Sequence, residues 1–122
     1  MPRRRLVVWL VSVLALLPAS VGTAEVSPTT VAYLQSQSPN PWITMALVAA
    51  DVQHPPTDHL RSVPGTSAND YAKAILALAA VNENPATFGN VDYVAELSGK
   101  FHDSQIGDPA FLNDDAWGML AL

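Results

Sequence analysis

The residues best placed to do chemistry are Asp114 and Asp115, adjacent carboxylates that follow Asn113 and precede Trp117. Two acids at the opening of a helix can meet a ligand. The same pair also complements the positive end of the helix dipole, a role that needs no partner. The loop before them, Phe101–Asn113, is the longest in the chain and holds His102, Asp103, Gln105 and Asp108. Contact with a ligand is expected from this loop and from Asn113–Trp117. Asp108, Asn113, Asp114, Asp115 and Trp117 are therefore the candidate ligand-binding residues, with Trp42, an aromatic at the corresponding place in an earlier helix. No residue is assigned as catalytic.

Metal chemistry finds no support in the spacing. His54 and His59 stand five apart across Pro55 and Pro56, and His102 follows a helix end, whereas helical zinc motifs set histidines at i and i+4. The chain has no cysteine, which excludes thiolate-held zinc, a thiol nucleophile, a thioester and disulfides. There is no Gly-x-Ser-x-Gly, no glycine loop for phosphates and no spaced Ser/His/Asp set. Neither a metal nor a cofactor is expected.

The chain reads as a leader and one domain. Arg3, Arg4 and Arg5 precede an apolar run, Leu6–Leu17, which Pro18 ends; Gly22 and Ala24 suit a signal peptidase. Residues 1–24 are thus expected to be a signal peptide, with export to the extracellular space, periplasm or cell surface. An uncleaved leader would be the one link to a membrane. Beyond Ala24 three basic residues face eleven acids, a formal charge of −8 that offers no footprint for nucleic acid.

Residues 25–122 read as helices of two kinds. Amphipathic helices are expected at Pro28–Gln37 (capped by Ser27) and at Val91–Phe101, with Val91, Val94, Leu97 and Phe101 on one stripe and Glu96 paired to Lys100. A short turn of helix is expected at Asp58–Ser62. Helices apolar nearly all round are expected at Pro39–Val52, from Asn69 to Val81, and from Asn113 onward; such helices are covered on both sides. Trp42, Lys73 and Trp117 align, each followed at the same distance by Met45-Ala46-Leu47, Leu76-Ala77-Leu78 or Leu120-Ala121-Leu122, and preceded by a candidate cap, Ser38, Asn69 or Asn113. That periodicity indicates stacked helical hairpins, apolar helices inside and amphipathic helices outside.

The hairpins, with NDYAKAILAL and LNDDAWGMLAL opening inner helices and VAYLQSQ in an outer one, resemble the α/α-toroid repeats of the terpenoid cyclase and protein prenyltransferase-like superfamily. They look most like exported prenyltransferase or squalene-oxidase repeat proteins. The resemblance implies an all-α fold, an α/α toroid of which this chain forms a partial ring of about three hairpins. It also implies that the chain is the N-terminal part of a longer protein, its open end covered by the remaining half or by self-association. Cyclases of the superfamily start a cationic reaction with an Asp-x-Asp-Asp acid, and here the motif is Leu112-Asn113-Asp114-Asp115, without its first aspartate. The prenyltransferase zinc set needs a cysteine that is absent. The expectation is an exported, non-catalytic toroid-repeat protein that binds a small-molecule or protein ligand, as the cobalamin-carrier branch does without chemistry, though no residue here specifies cobalamin. The alternatives are a cyclase- or prenyltransferase-like enzyme with its catalytic residues elsewhere in a longer chain, and a structural cell-surface module.

Overall fold

Helix α3, Ala68–Ala80, is the element on which the others pack. The computed structural model describes residues 25–63 and 65–122; the leader assigned to residues 1–24 lies outside the described residues. In chain order the elements are α1 (Pro28–Ser36), α2 (Pro41–Ala49), a 3₁₀ turn (Asp58–Arg61), α3, α4 (Tyr93–Ser98), a hairpin of β1 (Phe101–His102) and β2 (Gln105–Ile106), and α5 (Leu112–Ala121). The class is all-α. Helices α2, α4 and α5 and the 3₁₀ turn all pack on α3, and α1 packs on α2.

Alanine gives α3 this central place. Ala68, Ala72, Ala74 and Ala77 are buried beside Tyr71, Ile75 and Leu78. Short side chains let neighbouring helices approach closely, and alanine has the highest helix propensity. The core extends through Leu60, Phe88, Tyr93, Leu97 and Ile106. A buried hydrogen bond ties its edge: the Tyr93 hydroxyl donates to the Leu60 carbonyl at 2.5 Å, linking α4 to the 3₁₀ turn.

The helix starts differ from expectation at three places. Helix α2 begins at Pro41 and not Pro39, because a proline drives the residue before it out of the helical region. Asn40 is accordingly extended, and its Oδ1 accepts from the amides of Trp42 (3.0 Å) and Ile43 (3.2 Å). Helix α3 is capped by Ser67 and not Asn69, through a reciprocal box: the Asp70 amide donates to Ser67 Oγ, and the Ser67 amide and hydroxyl donate to Asp70 Oδ2. Helix α5 starts after Phe111, one turn-forming residue before Leu112, so Asn113 lies inside the helix.

The ends of α2 and α3 share one geometry. After α2, Asp51 takes a left-handed conformation (φ 61°), and the Val52 amide donates back to Leu47. After α3, Asn82 does the same (φ 59°), and the Glu83 amide donates back to Leu78. Both are Schellman closures, which satisfy the last free carbonyls of a helix. Asp51 and Asn82 are separated by the same number of residues as Trp42 and Lys73.

Two further expectations are corrected. The helix expected over Val91–Phe101 is confined to Tyr93–Ser98, capped by Asp92 Oδ1 and ended at Gly99. The chain then reverses in a two-residue turn, Asp103-Ser104, with φ of 50° and 66°, the geometry that matches the twist of a tight hairpin. Phe101 therefore lies exposed in β1, and Lys100 sits over the Tyr71 ring, 5.6 Å from its centroid, instead of pairing with Glu96. The second correction concerns coverage. Only α3 is sheathed on both sides; α2 buries Thr44 and Leu47, and α5 buries Asp114 and Gly118 while Leu112, Met119 and Leu120 are 82, 71 and 67% exposed among the described residues.

Candidate functional site

A cavity of about 570 Å³ lies between the start of α2, the 3₁₀ turn and the first half of α3. Its apolar wall is formed by Pro39, Pro41, Trp42, Leu60, Val63 and Ala74. Polar groups reach it from Asn40, His59, Ser62, Asp70 and Lys73. An apolar hollow with a few convergent polar groups, in this range of volume, is the usual form of a small-molecule site.

Local structure sets each of these side chains. Pro41 starts α2, so Trp42 occupies its first turn at the cavity mouth, 43% exposed. Asp70 and Lys73 lie one turn apart on α3 and face the same space. Asp70 is already engaged with Ser67. Asn40 spends its oxygen on the helix amides and its nitrogen on the Ser38 carbonyl. Lys73, by contrast, has no carboxylate within ion-pair distance among the described residues.

His59 is held from behind. The buried Thr44 hydroxyl donates to the Pro56 carbonyl at 3.1 Å and lies 3.2 Å from His59 Nε2. Nε2 is thereby engaged, and Nδ1 is the ring nitrogen left over. That nitrogen is buried without a hydrogen-bond partner. Burial holds the imidazole below its ordinary pKa; the nearby Asn40 carbonyl and the Asp58 carboxylate oppose that shift in part.

The residues singled out from sequence divide into two groups. Trp42 and Trp117 meet edge to face, with ring centroids 4.9 Å apart; Trp42 lines the cavity and Trp117 backs it. Asp108, Asp114 and Asp115 gather around the β hairpin, not around the cavity. Asp115 Oδ1 accepts from the Ile106 amide at 2.7 Å, and Asp114 Oδ2 accepts from the Asp108 amide at 3.1 Å. Asp108 Oδ1 in turn accepts from the Ala110 amide. Asp114 is 5% exposed. This acid pair binds the backbone of the preceding loop to α5. Asn113 stands exposed in the first turn of α5 and does not line the cavity.

Lys73, His59, Leu60 and Val63 are cavity residues that the motif search did not single out. For Lys73 a signal was present: it aligns with Trp42 and Trp117 in the repeat register, and both of those positions face the same region. His59 and Val63 carry no local signal, because the fold of an irregular segment places them. No three acid or histidine side chains gather as a metal site among the described residues. No described helix is long and apolar enough to cross a membrane. Comparison with protein-family models, with curated proteins and with solved structures gives no match for this chain.

Proposed function

We propose that the chain is an exported, non-catalytic repeat protein of α/α-toroid type that binds a small-molecule ligand between its inner helices. The observation that carries this reading is the convergence of the aligned positions: Trp42 and Lys73 line one cavity, and Trp117 packs on Trp42. In a ring of stacked hairpins, equivalent residues of successive inner helices face a common axis, where such a site belongs. The paired helix closures at Asp51 and Asn82 support the same repeat. In this arrangement the exposed apolar face of α5 is covered by a further helical layer, from additional hairpins or a second copy.

The acid pair favours binding over catalysis. Asp114 and Asp115 are committed to backbone amides of the preceding hairpin and loop, an anchoring role and not a reactive one.

A fragment library screened by NMR against the full chain tests the proposal. Hits should shift the amides of Asn40 and Trp42 and those of residues 59–63 and 70–74. Hits scattered over the surface, or none, would overturn it.

A further inference from the structure

We infer that the cavity between α2, the 3₁₀ turn and α3 takes a monoanionic amphiphile, a carboxylate on a hydrocarbon or aromatic body, with its anion on Lys73. This rests on reading the chain as a ligand-binding module and adds the class of ligand.

The argument follows from which polar groups are already committed. Of the polar residues at the cavity, Asn40 commits its oxygen to Trp42 and Ile43 and one of its two amide hydrogens to Ser38, and neither it nor Ser62 carries a charge. His59 presents Nε2 to Thr44, and its Nδ1 is sealed from solvent. Asp70 Oδ2 receives two hydrogen bonds from Ser67 inside the cap of α3, and the helix start further offsets its charge. Lys73 alone offers a full charge with donors to spare. Lys73 is half-buried as a residue, so its hydrocarbon stem can lie along the wall with the ammonium at the cavity.

The remainder of the wall decides the body of the ligand. Pro39, Pro41, Trp42, Leu60, Val63 and Ala74 provide hydrocarbon and one aromatic face, and burial of apolar surface supplies the affinity. The charge count decides valence. Among the described residues Lys73 is the one cation lining the cavity, so the second charge of a dianion such as a phosphate monoester would meet nothing in the wall that neutralises it. A primary ammonium would meet Lys73 with like charge, and Asp70 is spent on Ser67.

Calorimetry on the full chain with four probes of equal chain length, octanoate, octylammonium, 1-octanol and the zwitterion 2-aminooctanoate, tests this. Octanoate should bind tighter than octanol by about fivefold or more, the scale of a partly exposed charge pair, and octylammonium should bind weakest. K73M should reduce octanoate to the affinity of octanol, and K73R should restore the difference; thermal unfolding of both variants checks that the fold is kept. Equal binding of octanoate and octanol, or octanoate binding unchanged in K73M, would overturn the inference while leaving an apolar site in place. Octylammonium or the zwitterion binding as tightly as octanoate would also overturn it. Failure of all four probes, with no amide shifts in the cavity, would overturn this inference and weaken the binding reading beneath it.

Discussion

The indole of Trp42 meets that of Trp117 at 4.9 Å with an interplanar angle of 70°, joining the first turn of α2 to the middle of α5. Edge-to-face pairs of this kind contribute about 0.5–1.5 kcal/mol beyond the area they bury. The pair links two helices that otherwise meet mainly through α3. W117L should therefore lower stability by roughly 1–3 kcal/mol, since it also shrinks a half-buried side chain. Chemical denaturation measures the loss. Near-ultraviolet circular dichroism should lose its indole signal in W117L and W42L alike, and W42L retaining the full signal would sink the paired geometry.

Asp114 and Asp115 give a prediction that separates anchoring from catalysis. Each carboxylate accepts from a backbone amide, Asp108 and Ile106 respectively. An amide oxygen can accept the same bond, so D114N and D115N should keep most of the stability. D114A and D115A should each lose about 1–3 kcal/mol, because a partly buried N–H is left without an acceptor. Urea midpoints of the four variants give the comparison. Asparagine and alanine variants of equal stability would argue against the anchoring role.

The same loop requires a glycine. Gly107 has φ of +77°, and a Cβ there would lie 2.5 Å from Asp114 Oδ2 and 2.7 Å from Ala68 Cβ. G107A thus combines an unfavourable backbone conformation with overlap against α3. The cost should be on the order of 2–4 kcal/mol. Hydrogen exchange should report it as faster exchange at Ile106 and Asp108, since the hairpin detaches before α3 unravels.

These loops also mark where the sequence was legible and where it was not. Helix existence could be read wherever a propensity run and a stop signal coincided: α3 has its alanines and Asn82, α2 its apolar run before Pro55. Helix starts were harder. Asn40 and Ser38 are both good caps, and only the effect of Pro41 on its predecessor chooses between them; Ser67 outcompetes Asn69 because Asp70 completes a reciprocal box. The hairpin was missed because Asp103-Ser104 is a weak turn signal beside Asn-Gly, and Phe101 extended the apolar stripe of α4. The two tryptophans were singled out by aligning the apolar helices, and their rings do meet. The rest of the cavity was hidden, since His59, Leu60 and Val63 reach it through tertiary contacts such as Tyr93 to Leu60 and Thr44 to His59.

The Tyr93 hydroxyl is one of those contacts and can be tested alone. It is fully buried and donates to the Leu60 carbonyl across the fold. Y93F removes the donor while keeping the ring, and leaves one carbonyl unpaired. A loss of about 1–2 kcal/mol is expected, with the amides of the 3₁₀ turn exchanging faster. A neutral Y93F would show that this tether contributes nothing to holding the cavity wall.

His59 makes the stability of that wall depend on pH. Burial holds its folded pKa below the ordinary value of 6.5. Between the folded and the unfolded pKa the unfolded chain binds more protons, so stability rises with pH across that interval. His59 therefore contributes fully above about pH 6.5, loses its contribution as the pH falls from there toward the folded pKa, and adds no further slope below it. Urea midpoints should fall from pH 7.5 to pH 5.5 in the parent chain and change less in H59Q. If protonation opens the wall, amides of residues 57–60 should lose protection relative to their intrinsic exchange rates at the lower pH, and those of α5 should not. A slope that survives H59Q would place the titrating group elsewhere and release His59 from this role.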